Sequence, residues 1–207
     1  MINLFQMGQE LAFHGQVLIY LILLCSVTAF AIMINRFISF CKAGINREKF
    51  MGKLSPILKR GKIVEAISLC DKYPSAVARI VKAGILKHDR GRGAIREAME
   101  ERTRLELPQL EKYLPVLSTV AYIAPLLGFL GTVLGMIEVF AQLQSEAGFI
   151  GPGGLAGGIG EALFTTAAGL IVAIPVILAN NYFLSRVDEV KRDSERAVSE
   201  LVNILPE

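Results

Sequence analysis

The residues that could do chemistry in this chain are few, and they lie in apolar surroundings. Thr132, Thr165 and Thr166 are hydroxyls inside long uncharged runs, and Glu138 and Glu161 are carboxylates at the edges of those runs. A charged group at the centre of a membrane helix costs about 2.5–3.5 kcal/mol on insertion scales, so a carboxylate there faces an interior or a water-filled cavity. A threonine hydroxyl donates and accepts hydrogen bonds or holds a water, but does not titrate at physiological pH. Such groups suit passing or holding a proton or small cation better than making bonds. Their spacing sets depth. Relative to residue 150, midway between the two runs, Thr132 lies 18 residues before and Thr166 16 after, while Glu138 lies 12 before and Glu161 11 after. In antiparallel helices rising about 1.5 Å per residue, this predicts a threonine layer near the midplane and a shallower carboxylate layer. Glu138 is expected at the interface and Glu161 in a functional position. Around the helix, Thr165 lies about 40° from Glu161 and Thr166 about 140°. Helical geometry alone therefore pairs Glu161 with Thr165. A third arrangement has the threonines bonding back to carbonyls of their own helix.

Other chemistry finds no support. There is no H-E-x-x-H, no G-x-S-x-G and no Walker loop. The Gly-Arg-Gly at 91–93 lacks the preceding strand and the Lys-Ser/Thr of a phosphate loop. His88 sits beside a turn in a basic segment and reads as a surface histidine; His14 reads as interfacial. Cys25, Cys41 and Cys70 form no CxxC pair and no zinc-site spacing with histidine, so they read as small apolar residues. Basic residues without interleaved aromatics do not suit single-stranded nucleic acid.

Three runs are long enough to cross a bilayer, which takes about 20 helical residues: Gln16–Ile34, Leu114–Ile137 and roughly 162–183. Overall, 53% of the 207 residues are hydrophobic while 20% are charged, so charge must be segregated from the apolar runs. The first run contains Ala29-Phe30-Ala31, of the form of a signal cleavage site. The leader has no Lys or Arg before the apolar core, and that core continues to Ile34, so it reads as a retained anchor. Of the 22 Lys and Arg residues, 18 lie in 36–112 and four in 186–207, with none in 1–15 or 138–161. The positive-inside rule then places 1–15 outside, 16–36 as span one and 37–112 as a cytoplasmic helical domain. Span two is 113–138, an outside loop 139–160, span three 161–184, and a cytoplasmic C-terminal helix 185–207. Arg36 and Lys42, flanking span one, are expected at lipid headgroups, where they fix orientation.

The cytoplasmic segment has helical signals. Residues 63–73 and 76–88 show helical spacing, separated by Pro74-Ser75; 89–93 reads as a turn with two glycines; 94–114 carries Glu/Arg pairs and should run straight into span two, with Pro108 and Pro115 bending it or marking its ends. Residues 188–202 read as a charged continuation of span three. In span two, Gly128, Gly131 and Gly135 share a face with Thr132; in span three, Gly158, Ala162, Thr165, Gly169 and Ala173 form a matching stripe. Small residues let helices approach closely, so the two spans should pack against each other or against other copies, with Pro125 a tolerated bend.

The stretch PLLGFLGTVLGM (125–136), followed by GGIGEALFTTAAGLIVAIPVILANNYF (157–183), resembles the MotA/TolQ/ExbB proton channel family. The likeness is strong over about 113–187 and moderate elsewhere. Three spans fit the ExbB and TolQ branches better than the flagellar stator branch, which has four. The resemblance implies an all-α integral membrane protein whose second and third helices extend into a helical cytoplasmic domain. It implies a pentameric ring in the bacterial inner membrane around a dimer of a single-span partner, ExbD or TolR, whose span carries a protonatable Asp. Proton flow would drive that partner, with the motion passed to TonB for outer-membrane transport or used by the Tol-Pal system for envelope integrity. By motif position it assigns Thr132, Thr166 and Glu161 to the proton path, choosing Thr166 where helical geometry favours Thr165.

The residues support a partner independently of the family name. No Asp, Glu, Lys or His occupies the middle of either run, so a proton path here needs a titrating group from elsewhere. No enzyme activity and no cofactor are expected. The alternatives are a non-conducting scaffold assembled by its small-residue faces, a solute transporter, disfavoured by the lack of inverted repeats, and sodium as the coupling ion.

Overall fold

The computed structural model describes residues 4–43, 47–145 and 152–204. Among them all regular structure is helical: α1 Leu4–Ala43, α2 Arg47–Lys59, α3 Ile63–Lys72, α4 Ala76–Ile85, α5 Gly91–Glu111, α6 Leu114–Ser145 and α7 Pro152–Ile204. Three of these regions are long and apolar enough to cross a membrane, matching the three expected spans. Helix α6 runs on to Ser145 and α7 begins at Pro152, so helix takes up much of the stretch expected as a loop. The centre of that loop, 146–151, lies outside the described residues, as do the side chains of His14 and Lys42.

The chain divides into two compact units, Met1–Met33 with Pro115–Asn180, and Ile34–Leu114 with Asn181–Glu207. In the first, Leu18, Ile22 and Ala29 of α1, Leu117 and Ala124 of α6, and Ala173 and Val176 of α7 are buried. Its outer surface is apolar too: Tyr20, Leu24, Phe129, Phe164, Ile171 and Leu178 are all exposed. Helices apolar all round suit a lipid solvent rather than water.

The second unit is built like a soluble helical domain. Its core joins Phe50 and Leu54 of α2, Ile80 and Ile85 of α4, Ile95 and Met99 of α5, and Leu201 of α7. The break expected at Pro74-Ser75 is a helix start, with Ser75 Oγ accepting from Ala78 N at 3.1 Å as the N-cap of α4. Helices α4 and α5 close tightly: a Cβ at Gly84 would lie 2.6 Å from Met99 Sδ and 2.8 Å from Leu201 Cδ2. Helix α2, carrying Pro56, was not foreseen. The glycines of 91–93 open α5 rather than form a separate turn, and Gly91 supplies the left-handed start with φ +81°.

The expected continuous helix from 94 into span two is interrupted. Helix α5 ends at Glu111, α6 starts at Leu114, and Tyr113 between them has φ 70°. Pro115 lacks the N–H that would bond to the Glu111 carbonyl, so the helix cannot continue undisturbed. Arg36 stabilises the corner. Its Nη1 donates to the carbonyls of Gln109 (3.2 Å) and Leu110 (3.5 Å), capping α5, and its guanidinium lies 5.4 Å from the Tyr113 ring centroid. Lys112 Nζ stands 4.9 Å from the same ring. Arg36 was expected at lipid headgroups; the structure instead buries it to 6% exposure against the end of α5, whose terminal carbonyls need a donor. Arg36→Met keeps the stem and removes the donors. It should cost roughly 2 kcal/mol, read as a lower melting temperature of the detergent-solubilised protein with cleavage by trypsin appearing at Lys112.

Candidate functional site

The site is positioned by a close antiparallel pairing of α6 and α7. A Cβ placed on Gly135 would meet Ala162 Cβ at 2.7 Å, and one on Gly128 would meet the Thr165 carbonyl oxygen at 2.9 Å. One on Gly169 would meet the Ala124 carbonyl oxygen at 2.6 Å, and Gly131 and Gly158 face the side chains of Thr165 and Val139. Each step of three or four residues back along α6 is thus matched by a step forward along α7. The two stripes expected from the sequence face each other within one chain; Gly128 and Gly169 are required because backbone of the facing helix lies where their side chains would be, while at Gly131, Gly135 and Gly158 a facing side chain takes that space. Pro125 sits inside α6, half-buried, without ending the helix. Gly169→Ala should separate the pair, since the atom it strikes is backbone and cannot swing aside; a drop in melting temperature of several degrees, larger than for Gly153→Ala with nothing within 4 Å, checks this.

That close approach sets the hydroxyls. Thr166 Oγ1 donates to the Gly128 carbonyl at 3.0 Å and lies 3.5 Å from Thr132 Oγ1. Thr132 Oγ1 donates to the Phe129 carbonyl of its own helix at 2.6 Å. Both residues are half-buried. Thr132 gives its proton to its own helix and Thr166 shares its proton between the Gly128 carbonyl and the Thr132 oxygen, so both oxygens keep lone pairs free to accept. An arrangement of that kind accepts hydrogen bonds: it suits a water, a hydronium, a protonated carboxyl or a bare cation.

Thr165 is placed differently. It is 4% exposed, wedged against Gly131, with its hydroxyl bonded to the carbonyls of Ala162 (2.7 Å) and Gly128 (3.3 Å). It was expected as a lining residue beside Glu161; in the structure it fills the seam between α6 and α7, because the small-residue register turns it there, and Thr166 is the hydroxyl brought to Thr132. Glu161 is exposed, and Glu138, half-buried, takes a hydrogen bond from Gln142 Nε2 at 3.3 Å.

Two residues escaped the sequence reading. Glu106, in the second unit, is 1% exposed and held by two arginines; its one local signal was Arg102 four residues before it. Asn180, in the first unit, is 7% exposed; the paired asparagines 180–181 at the end of an apolar run were the clue. Among the described residues no cluster of three or more His, Cys, Asp or Glu could hold a metal ion.

The profile of the MotA/TolQ/ExbB proton channel family matches residues 72–196. A biopolymer transport ExbB homologue from Methanothermobacter thermautotrophicus is 29% identical over 91% of this chain and 67% of its own length. Biopolymer transport protein exbB1 of Vibrio cholerae is 48% identical over 33% of this chain and 30% of its own. Tol-Pal system protein TolQ of Haemophilus influenzae is 36% identical over 52% of this chain and 47% of its own, so this chain covers less than half the length of these last two relatives. The profile takes in both small-residue stripes and the hydroxyl pair between them, over more than half of the sequence. The chain belongs to the MotA/TolQ/ExbB proton channel family.

Proposed function

We propose that this chain is the pore-forming subunit of a motor driven by the proton gradient across the bacterial inner membrane. It acts by conduction and carries no catalytic step. In this reading the subunit is ExbB-like. It assembles as a pentameric ring around a dimer of a single-span ExbD-type partner and energises TonB-dependent transport at the outer membrane. The N-terminus is periplasmic and the second unit cytoplasmic. One observation carries the proposal: the Thr132–Thr166 pair presents acceptor lone pairs, yet no Asp, Glu, Lys, Arg or His lies between Lys112 and Glu138 or between Glu161 and Arg186. A path for protons needs a group that titrates. The hydroxyls do not titrate, so a carboxyl supplied from outside the chain completes the path. Glu161, exposed at the outer end of α7, serves proton entry or partner docking.

A TolQ-like role in the Tol-Pal system is the second reading, favoured by TolQ relatives at 36% and 35% identity. Its partners would be of the TolR and TolA kind. Sodium would fit the same lone pairs, and replacing sodium by potassium at fixed pH separates the ions.

The test is partner dependence. Liposomes holding this chain alone should show no proton uptake above the lipid background, and liposomes holding the co-purified complex should conduct. Equal flux from the chain alone would remove the need for an outside carboxyl and with it the proposal.

A further inference from the structure

The corner at Lys112–Tyr113 uses only part of the Arg36 guanidinium. Nη1 alone bonds to the Gln109 and Leu110 carbonyls. Nε is buried without a hydrogen-bond partner, and Nη2 makes no hydrogen bond among the described residues. Nε and Nη2 form one edge of the planar group, two parallel donors spaced to grip two oxygens of one anion. The same chain shows what that edge takes: Arg79 holds the Glu106 carboxylate with its Nε at 2.8 Å and its Nη2 at 2.6 Å. A buried donor without an acceptor is costly, and native structures rarely keep one unless a water or ligand completes it.

The charge around the corner points to an anion. Arg36 is nine-tenths buried, yet it meets two carbonyls and the Tyr113 ring and no carboxylate among the described residues. Lys112, exposed, brings a second cation to the same ring. An aromatic face attracts a cation but supplies no counter-charge, and two cations gathered at one ring repel each other. Helix α1 has no Asp or Glu after Glu10, and Glu111, the one carboxylate beside the corner in sequence, is exposed. The surroundings favour a lipid as the source of the anion. Arg36 follows the apolar run that ends at Ile34, and Lys112 precedes the one that begins at Leu114, so both belong at a membrane boundary. Ile34, Phe37 and Ile38, flanking Arg36 on α1, are exposed, as is Tyr113. Acyl chains can cover such a surface while the cations beside it face headgroups.

We propose that the Nε–Nη2 edge of Arg36, with Lys112 Nζ at the same ring, binds the phosphate of an anionic phospholipid in the leaflet that this unit faces. Of the two donors on the edge only Nε is shut off from the surface, so the phosphate enters at Nη2. The Nη1 bonds, at 3.2 and 3.5 Å, are long and leave the guanidinium room to turn Nε toward a second oxygen. Lys112 adds a point charge on its flexible stem. The lipid ties the Lys112–Tyr113 corner to the bilayer surface. This site does not depend on whether the chain conducts protons.

The experiment titrates phosphatidylglycerol into phosphatidylcholine nanodiscs holding the full chain and follows the melting temperature. Wild type should melt higher as phosphatidylglycerol rises, with half of the effect reached at a low mole fraction. Arg36→Lys keeps the charge and removes the two-donor edge, so the half-effect fraction should rise about tenfold. Lys112→Gln removes an exposed charge and should raise it about threefold. Lys59→Gln removes an equally exposed charge elsewhere in the same unit and should leave it unchanged. Equal shifts in Lys59→Gln and Lys112→Gln would mean a diffuse attraction of basic residues to an anionic surface, and overturn the site. No dependence on phosphatidylglycerol in wild type overturns it as well. An equal rise on adding inorganic phosphate to pure phosphatidylcholine nanodiscs assigns the edge to free phosphate and overturns the lipid as its occupant. Should Arg36→Lys fail to fold, the comparison of Lys112→Gln with Lys59→Gln decides alone.

Discussion

Thr132→Val will lower proton flux through the assembled complex by about 100-fold while leaving the amount of complex in the membrane unchanged. The two halves of that result have separate physical causes. Stability changes little because the Thr132 hydroxyl is spent on a carbonyl of its own helix, Phe129, at 2.6 Å. That helix keeps its backbone ladder without it, and valine fills nearly the same volume. Interhelical packing is carried by Gly128, Gly131 and Gly135 meeting Thr165, Ala162 and Gly169, none of which valine disturbs. Conduction changes greatly because the oxygen of Thr132, 3.5 Å from that of Thr166, is half of the acceptor pair. A hydrogen bond to a charged donor is worth about 1.5–3 kcal/mol, or roughly 10- to 150-fold in rate if it is made in the transition state. Thr132→Ser restores the oxygen and should recover most of the flux. A valine variant that conducts like wild type while serine changes nothing would mean that the hydroxyls are packing groups, the scaffold reading.

The spans, the small-residue faces and the depth match of Thr132 with Thr166 were legible in the sequence because each follows from helical periodicity, rise per residue and the cost of charge in lipid. These are local rules applied to an unbroken helix. The contest between Thr165 and Thr166 was not decidable that way. It turns on rotation of α7 about its axis, which is set by the notch at Gly131 that receives Thr165, a tertiary fit. Arg36 shows the same limit: beside an apolar run a lone arginine reads as a headgroup anchor, and only the end of α5, 73 residues away, turns it inward. The corner at Lys112–Tyr113 was half legible, since Pro115 announced a boundary, but helix-forming residues on both sides masked where the chain would turn. Glu106 and Asn180 were missed because a charged or amide residue in a helix is ordinarily exposed, and nothing local marks the exception.

Glu106→Gln will be among the most destabilising conservative changes in the second unit, at about 3 kcal/mol. The carboxylate is nearly inaccessible. Arg79 on α4 grips it through Nε (2.8 Å) and Nη2 (2.6 Å), and Arg102 on α5 adds a third contact at 2.6 Å. Glutamine offers one carbonyl oxygen and an amide donor that points at a guanidinium. One charge-assisted bond becomes a clash of donors, and two arginines lose their counter-charge. The lower end of the range for breaking a buried pair applies because the Arg79 and Arg102 side chains are 41% and 40% exposed and can rehydrate. The pH dependence has a definite sign. Burial on its own would raise the carboxyl's pKa, but the hydrogen bond and charge of Arg79 with the charge of Arg102 outweigh it and hold the group below the ordinary carboxylate range. A carboxyl with a depressed folded pKa contributes stability above its unfolded pKa of about 4.3 and loses it as pH falls through the folded value. Wild type should therefore lose melting temperature below about pH 4, and the glutamine variant, lower throughout, should show a shallower fall. Replacing the clamp by apolar groups, as Arg79→Met with Glu106→Leu, should recover much of the loss, since a buried ion pair exchanged for well-packed side chains is often neutral. If the double variant is as unstable as Glu106→Gln, α4 and α5 are held by the geometry of the clamp and not by the need to neutralise a buried charge.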